Sequence, residues 1–271
     1  MSKSSKLLGI SRQAIYQSEK RHQKRQAILA PVTDMVAELR RFMPRLGTRK
    51  LYQLIKPQMV EAGIKLGRDG LFAHLRDEQM LVKPRKSYTK TTHSKHWMKK
   101  YPNLLKDLEI KKAEQVLVSD ITYVESDEGI HYLSLVTDAS SRKIMGHELS
   151  RDMKAESVVK ALHQAAQQCH QTESVIHHSD RGVQYCSSLY QDALRLNGME
   201  PSMTDGYDCY QNALAERVNG ILKQEFLLYR CKTFDELKVL VEESIAIYNQ
   251  MRPHLSLGMK TPEDVHSKVA A

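Results

Sequence analysis

Cysteine is scarce in this chain and never closely paired: Cys169, Cys186, Cys209 and Cys231 are the four, with no Cys-x-x-Cys among them. That spacing argues against a structural zinc site and a disulfide framework. No apolar run approaches the roughly 20 residues needed to span a bilayer. The opening MSKSSKLLGISRQ has too short an apolar stretch for a secretory signal, and no heptad pattern is sustained anywhere. The expectation is a cytoplasmic protein with no membrane partner. Acidic residues are scarce only at the front. Residues 1–109 carry 24 Lys and Arg against 9 Asp and Glu, a net of +15, whereas residues 110–271 carry 17 against 23, a net of −6. A basic front half suits phosphate neutralisation, and an acidic back half leaves carboxylates for another purpose.

What is present, in 271 residues, is enough for one large domain or two to three smaller ones, with a substantial core. Residues 1–27 read as an N-terminal helical segment. Gly9 supplies a turn, and Ser11 is a candidate N-cap for the helix carrying Ala14, Ile15 and Tyr16. Residues 28–82 read as a small all-α, helix-turn-helix-like DNA-binding domain. Ile28, Val32, Met35, Val36 and Leu39 recur at helical spacing until Pro44. A second helix follows with Thr48 as its cap, and a third holds Arg68, His74 and Arg76, expected to face a DNA groove. A generic helical domain with solvated charges is the competing reading. Residues 83–109 form a basic linker; its stretch KPRKSYTKTTHSKHWMKK has seven Lys and Arg and no acid, with Lys83, Arg85 and Lys86 as expected backbone contacts.

From residue 110 the periodicity changes. QVLVSDITYV, HYLSLVTDA and KIMGHELS have strand character and are separated by turns, as in an antiparallel meander. An amphipathic helix, the strand TESVIHHSD, the helix SLYQDALRLNG and the short strand MEPSMT follow, then helices at 212–228 and 234–250. That order predicts an α/β, ribonuclease-H-like catalytic core over 110–271: a mixed five-stranded sheet with flanking helices, its first and fourth strands side by side at the centre.

Three carboxylates stand out. Alternation puts Asp120 on the strand face that carries Val116, Val118 and Val124, where an uncompensated acid is costly. Asp180, in HHSDRGVQY, taken alone reads as a turn residue. It gains weight from lying at the end of the strand expected beside the one bearing Asp120. Glu216 follows after 35 intervening residues, on a helix predicted to start at an Asn212 cap. Glu216, Asn219 and Lys223 form a polar stripe that either faces solvent or presents one metal ligand beside an amide and a cation touching DNA. Three such acids suit two Mg2+ ions, with Mn2+ expected to substitute, acting on a phosphodiester.

Taken together, SDITYV, HHSDRGVQY, NALAERVNGILKQE and the tail YNQMRPHLSLGMKTP resemble, in order and spacing, the bacterial insertion-sequence transposases of the OrfB type, whose core is retroviral-integrase-like. The resemblance implies that Asp120, Asp180 and Glu216 are the catalytic metal ligands of a DDE polynucleotidyl transferase. It implies DNA partners (the element's terminal inverted repeats and a target), a homo-oligomer on DNA, and action at the bacterial nucleoid. Members of that family commonly join this half by frameshifting to an upstream product, so the resemblance leaves two expectations, a complete chain or the downstream half of such a fusion. Leu117 and Gln211 depart from the family's usual aromatic and acidic residues without touching a ligand. Two other functions remain open on residues alone: a sequence-specific DNA-binding protein with a silent core, and a ribonuclease-H-type nuclease without a joining step.

Overall fold

The computed structural model describes residues 11–83, 97–170, 174–205 and 212–267. The chain divides into two compact units, Met1–Pro84 and Arg85–Ala271.

Among the described residues of the first unit, three helices surround a small core: α1 (Arg12–Phe42), α2 (Thr48–Glu61) and α3 (Arg68–Asp77). Ser11 caps α1 as expected, its hydroxyl accepting from the Ala14 amide at 3.1 Å. The helix then runs without a break through residue 27, where a segment boundary was expected. Its buried stripe begins at Leu29 and continues with Val32 and Val36. Ile28, expected inward, points to solvent, because one residue along a helix is a rotation of 100°. Leu51, Ile55 and Met59 of α2 and Leu71 and Leu75 of α3 complete the core. Gly47, and not Thr48, occupies the N-cap of α2; Thr48 is instead a buried first-turn residue.

The second unit is built on a five-stranded sheet in the order β3-β2-β1-β4-β5. Its strands are β1 (Val116–Ser126), β2 (Gly129–Asp138), β3 (Ile144–Ser150), β4 (Val175–Ser179) and β5 (Met199–Met203). The first three form the predicted meander, and β4 and β5 join in parallel, so β1 and β4 are central neighbours. One face is covered by α4 (Ala155–Gln168) and α5 (Ser188–Leu196), which pack Val158, Leu162, Tyr190 and Leu194 on Leu117, Val136 and Met145. On the other face, Val116, Val118 and Ala139 meet Ala215 of α6 (Ala213–Ile221). Each β1 side chain therefore chooses a face by its parity, as two-residue periodicity requires.

Residues before β1 belong to this unit as well. Met98 and Tyr101 lie against one core cluster and Leu105, Leu108 and Ile110 against the other, while the Leu104 amide donates to Ser202 at 2.9 Å. After α6 come α7 (Phe234–Met251) and α8 (Pro262–His266). A buried polar knot ties α8 to the sheet: His266 reaches Ser141 and Glu114, both at 3.2 Å, and Ser141 donates to Asp138 at 2.8 Å. Cys169, Cys186 and Cys231 are free thiols; Cys209 lies outside the described residues. Among the described residues no helix is long and apolar enough to cross a membrane.

Candidate active site

Strand pairing brings the first two acids to one place. β1 and β4 run parallel with Val116 opposite Ile176, Leu117 opposite His177 and Val118 opposite His178. Continued for two residues, that register sets Asp180 level with Asp120, just beyond the last residue of β4. Neighbouring strands are about 4.8 Å apart, so the two carboxylates lie at the carboxyl end of the parallel pair, where α/β sheets hold ligands. The turn role of Asp180 is realised too, since its Oδ1 accepts from the Gly182 amide at 2.9 Å.

The third acid arrives on α6, and two asparagines seat that helix. Asn212 was expected to cap it, yet its side chain makes no capping bond; its amide instead donates to the Ser119 carbonyl on β1 at 3.1 Å. Asn219, two turns on, donates to Asp120 Oδ2 at 2.8 Å. Glu216 lies between them with its side chain open to solvent, while Asp120 and Asp180 are partly buried.

Electrostatics report the convergence. The Asp120 carboxyl is pushed up to about 7, first by burial and then by the charge of Asp180, with a smaller push from Glu216. The Glu216 carboxyl is raised by partial burial and by the charge of Asp180. The buried Tyr185 phenol is raised mainly by burial, with Tyr190 and the charges of Asp120 and Asp180 adding to it. Like charges held together outside bulk water are unfavourable unless a cation offsets them. Among the described residues no group of three or more His, Cys, Asp and Glu forms a ready metal cage. The donor set nonetheless fits a hard cation that keeps part of its water shell: all-oxygen and anionic, with Asp120 and Glu216 raised first by burial and then by the charge of Asp180.

The residues predicted to touch DNA divide. Asn219 is 4% exposed and spent on Asp120, so it orients that carboxylate and is withdrawn from any surface contact. Its place beside Ala215, Val218 and Leu222 on the buried stripe was the signal for this. Lys223 is partly buried and reaches Thr122 Oγ1 on β1 at 3.4 Å; burial lowers its pKa, and Glu125 and Asp120 oppose that shift. His74 is corrected outright: it is buried in the front unit and bonded to Thr33 Oγ1 at 2.8 Å, because its position shares the inward face of α3 with Leu71 and Leu75. Arg68 and Arg76 are exposed, Arg68 paired with Asp69 at 3.0 Å. Lys83 is exposed, and Arg85 and Lys86 lie outside the described residues.

Beneath the acids lies a residue that the sequence did not single out. His177 is buried, and its Nε2 meets Ser119 Oγ at 2.7 Å and Tyr190 Oη at 2.9 Å. Burial, helped by His178, drops its pKa to about 3. The folded protein keeps this ring neutral, whereas the unfolded chain protonates it near 6.5. Its contribution is therefore complete above pH 6.5 and declines as pH falls toward 3, at up to roughly 1.4 kcal/mol per pH unit. His177→Gln is expected to be less stable at pH 7 and to show a shallower loss between pH 6.5 and 4. Urea titrations across that range check it; parallel pH curves for the two proteins would refute the assignment.

Comparison with known proteins bears on the same region. The integrase core domain family matches residues 110–209, and a second integrase core domain family matches residues 197–262. The insertion element IS600 uncharacterized 31 kDa protein of Shigella sonnei is 37% identical over 226 residues, 82% of this chain and 81% of that protein. Transposase InsF for insertion sequence IS3A of Escherichia coli (strain K12) is 29% identical over 244 residues, 86% and 81% of the two chains. Among solved structures, the simian T-cell lymphotropic virus intasome in complex with PP2A regulatory subunit B56 gamma aligns with a TM-score of 0.51 at 16% identity. That alignment covers 85% of this chain and 73% of the other, a likeness of fold.

Proposed function

Since this chain belongs to the insertion-sequence transposases built on an integrase core, we propose that Asp120, Asp180 and Glu216 are the carboxylates with which it cuts and joins DNA. The observation that carries the assignment is the parallel β1–β4 register that sets Asp180 level with Asp120, with α6, the helix bearing Glu216, held to Asp120 by Asn219 at 2.8 Å. These residues would hold two Mg2+ ions, with Mn2+ as a substitute. When bound, such ions supply positive charge to an attacking oxygen and to the leaving 3′-oxygen of an in-line displacement.

The chain's own groups prepare that chemistry. Asn219 and the Ile121 amide hold the two oxygens of Asp120, at 2.8 and 2.9 Å, so the carboxylate has one orientation before substrate arrives. Lys223 sets a cation on β1 beside the acids, placed to hold a phosphate of the DNA strand. In the first step water attacks phosphorus, the bond to the 3′-oxygen breaks, and a free 3′-hydroxyl remains. In the second that hydroxyl attacks a target phosphodiester, exchanging one P–O bond for another. No protein nucleophile is needed.

The partners proposed are the element's terminal inverted repeats and a target duplex, contacted in the front unit by exposed cations such as Arg68, Arg76 and Lys83. Joining two ends calls for a homo-oligomer on DNA, working at the nucleoid in the cytoplasm, with an upstream-frame product as a further partner. Incubating the full chain with labelled element-end duplexes should yield 3′-end cleavage and joined products with Mg2+ or Mn2+, and none with EDTA. Tight, specific binding without cleavage in either metal would favour the silent-core alternative. Degradation of RNA–DNA hybrids without joining would favour a nuclease.

A further inference from the structure

Helix α6 does not end at Ile221. It widens into a π turn, Leu222–Phe226, closed by the Leu227 amide donating to the Leu222 carbonyl five residues back at 2.8 Å. Such turns are rare, so something must select this one. Two side chains leave the turn in different directions. Lys223 goes to Thr122 on β1, two residues from Asp120. Glu225 goes to Arg252, just past the end of α7, in a two-pronged bond: Nε to Oε2 at 2.9 Å and Nη2 to Oε1 at 2.7 Å.

Arg252 is 1% exposed, and its Nη1 also meets His254 Nε2 at 3.0 Å. The His254 ring packs edge-on against Tyr248. This end of α7 is itself bolted to the sheet. Asn249 bonds both the amide and the carbonyl of Ile144, at 2.9 and 3.0 Å, and Tyr248 donates to the Arg142 carbonyl at 3.1 Å. The Arg252 fork therefore has a fixed position relative to β3, and through the sheet relative to β1.

We infer that the pair of buried Arg252 and half-buried Glu225 selects the π turn and thereby fixes where Lys223 meets β1, making the segment Tyr248–His254 a positioning part of the active site. A buried ion pair gives little net stability once desolvation is counted, so its use lies in choosing one conformation. An α-helical continuation would advance each residue by a different angle and so change the directions in which Lys223 and Glu225 leave the helix. Arg252 is required as an arginine, because an ammonium cannot make the two parallel bonds.

The inference rests on the proposed role of Lys223 for its catalytic consequence, and the test separates the two. Full-length wild type, Glu225→Gln and Arg252→Lys are compared by strand-joining kinetics on element-end DNA, by thermal melting, and by reductive methylation of Lys223 read by mass spectrometry without DNA. Folded variants are expected to keep KM for DNA within about twofold, to lose roughly 10- to 100-fold in kcat through misplacement, and to show several-fold faster labelling of Lys223. If either variant folds and retains both wild-type labelling and wild-type kcat, the inference is overturned. Faster Lys223 labelling in the variants of a wild type that joins no DNA would support the clamp while removing the catalytic reading.

Discussion

Asp120→Asn is expected to abolish cleavage and joining, with a loss of about 10³-fold or more in kcat, while leaving DNA affinity and the fold intact. The fold should survive because the new amide can be satisfied in place. Its oxygen can go on accepting from the Ile121 amide, 2.9 Å away in the wild type. Its NH2 would then face Asn219, whose own side-chain oxygen is buried with no hydrogen-bond partner among the described residues. A flip of the Asn219 amide converts the present bond into its reverse, and both groups remain paired. The substitution also removes a partly buried charge pressed by Asp180 and Glu216. Melting temperature in EDTA should therefore rise above wild type. Millimolar Mg2+ should then raise the wild-type melting temperature and move that of the variant much less, since stabilisation by a ligand follows its preference for the folded site. Joining at the wild-type rate, measured on element-end duplexes, would remove Asp120 from the site.

Gly146→Ala should cost the second unit at least roughly 3 kcal/mol, and Gly146→Val should prevent its folding. A methyl on Gly146 would meet the Ala161 carbonyl oxygen at 2.0 Å and the Ala165 amide nitrogen at 2.8 Å, both main-chain atoms of α4. A flexible side chain could turn aside; a helix backbone cannot. Helix α4 would have to lift from the sheet, exposing Met145, Val158 and Leu162, which are now at most 2% exposed. Domains of this kind are held by only about 5–15 kcal/mol in total, so the loss is a large fraction of what is available. Urea denaturation followed by far-ultraviolet circular dichroism reads it directly. An unchanged midpoint for the alanine variant would mean that α4 and β3 are not in the contact described.

These two substitutions mark the difference between what is legible in a sequence and what is not. The valine positions around Asp120 announced a strand with an acid on an apolar face, and the structure has that strand with Val116 and Val118 packed against α6. Nothing about the letter at 146 announced a helix pressed onto it, because Ala161 and Ala165 approach from a different element. Ile28 and His74 were misread for a related reason. Helical spacing identifies a stripe, but the width and starting point of that stripe depend on which neighbours cover it. Asn219 shows the cost of reading polarity as exposure, since an amide on a buried stripe is there to bond something inside.

Local order in this protein was set by the chain alone. Alternation every two residues, recurrence every three to four, and the succession of elements were sufficient to expect a ribonuclease-H-like sheet with β1 beside β4, because those periodicities act between near neighbours. What folding in three dimensions decided was the company each side chain keeps: Asn212 on a strand carbonyl in place of a cap, His177 between two hydroxyls, Arg252 clamping a π turn. Such contacts join residues 13 to 93 positions apart. They are chosen by shape, desolvation and charge across packed surfaces, and no stretch of sequence contains both partners.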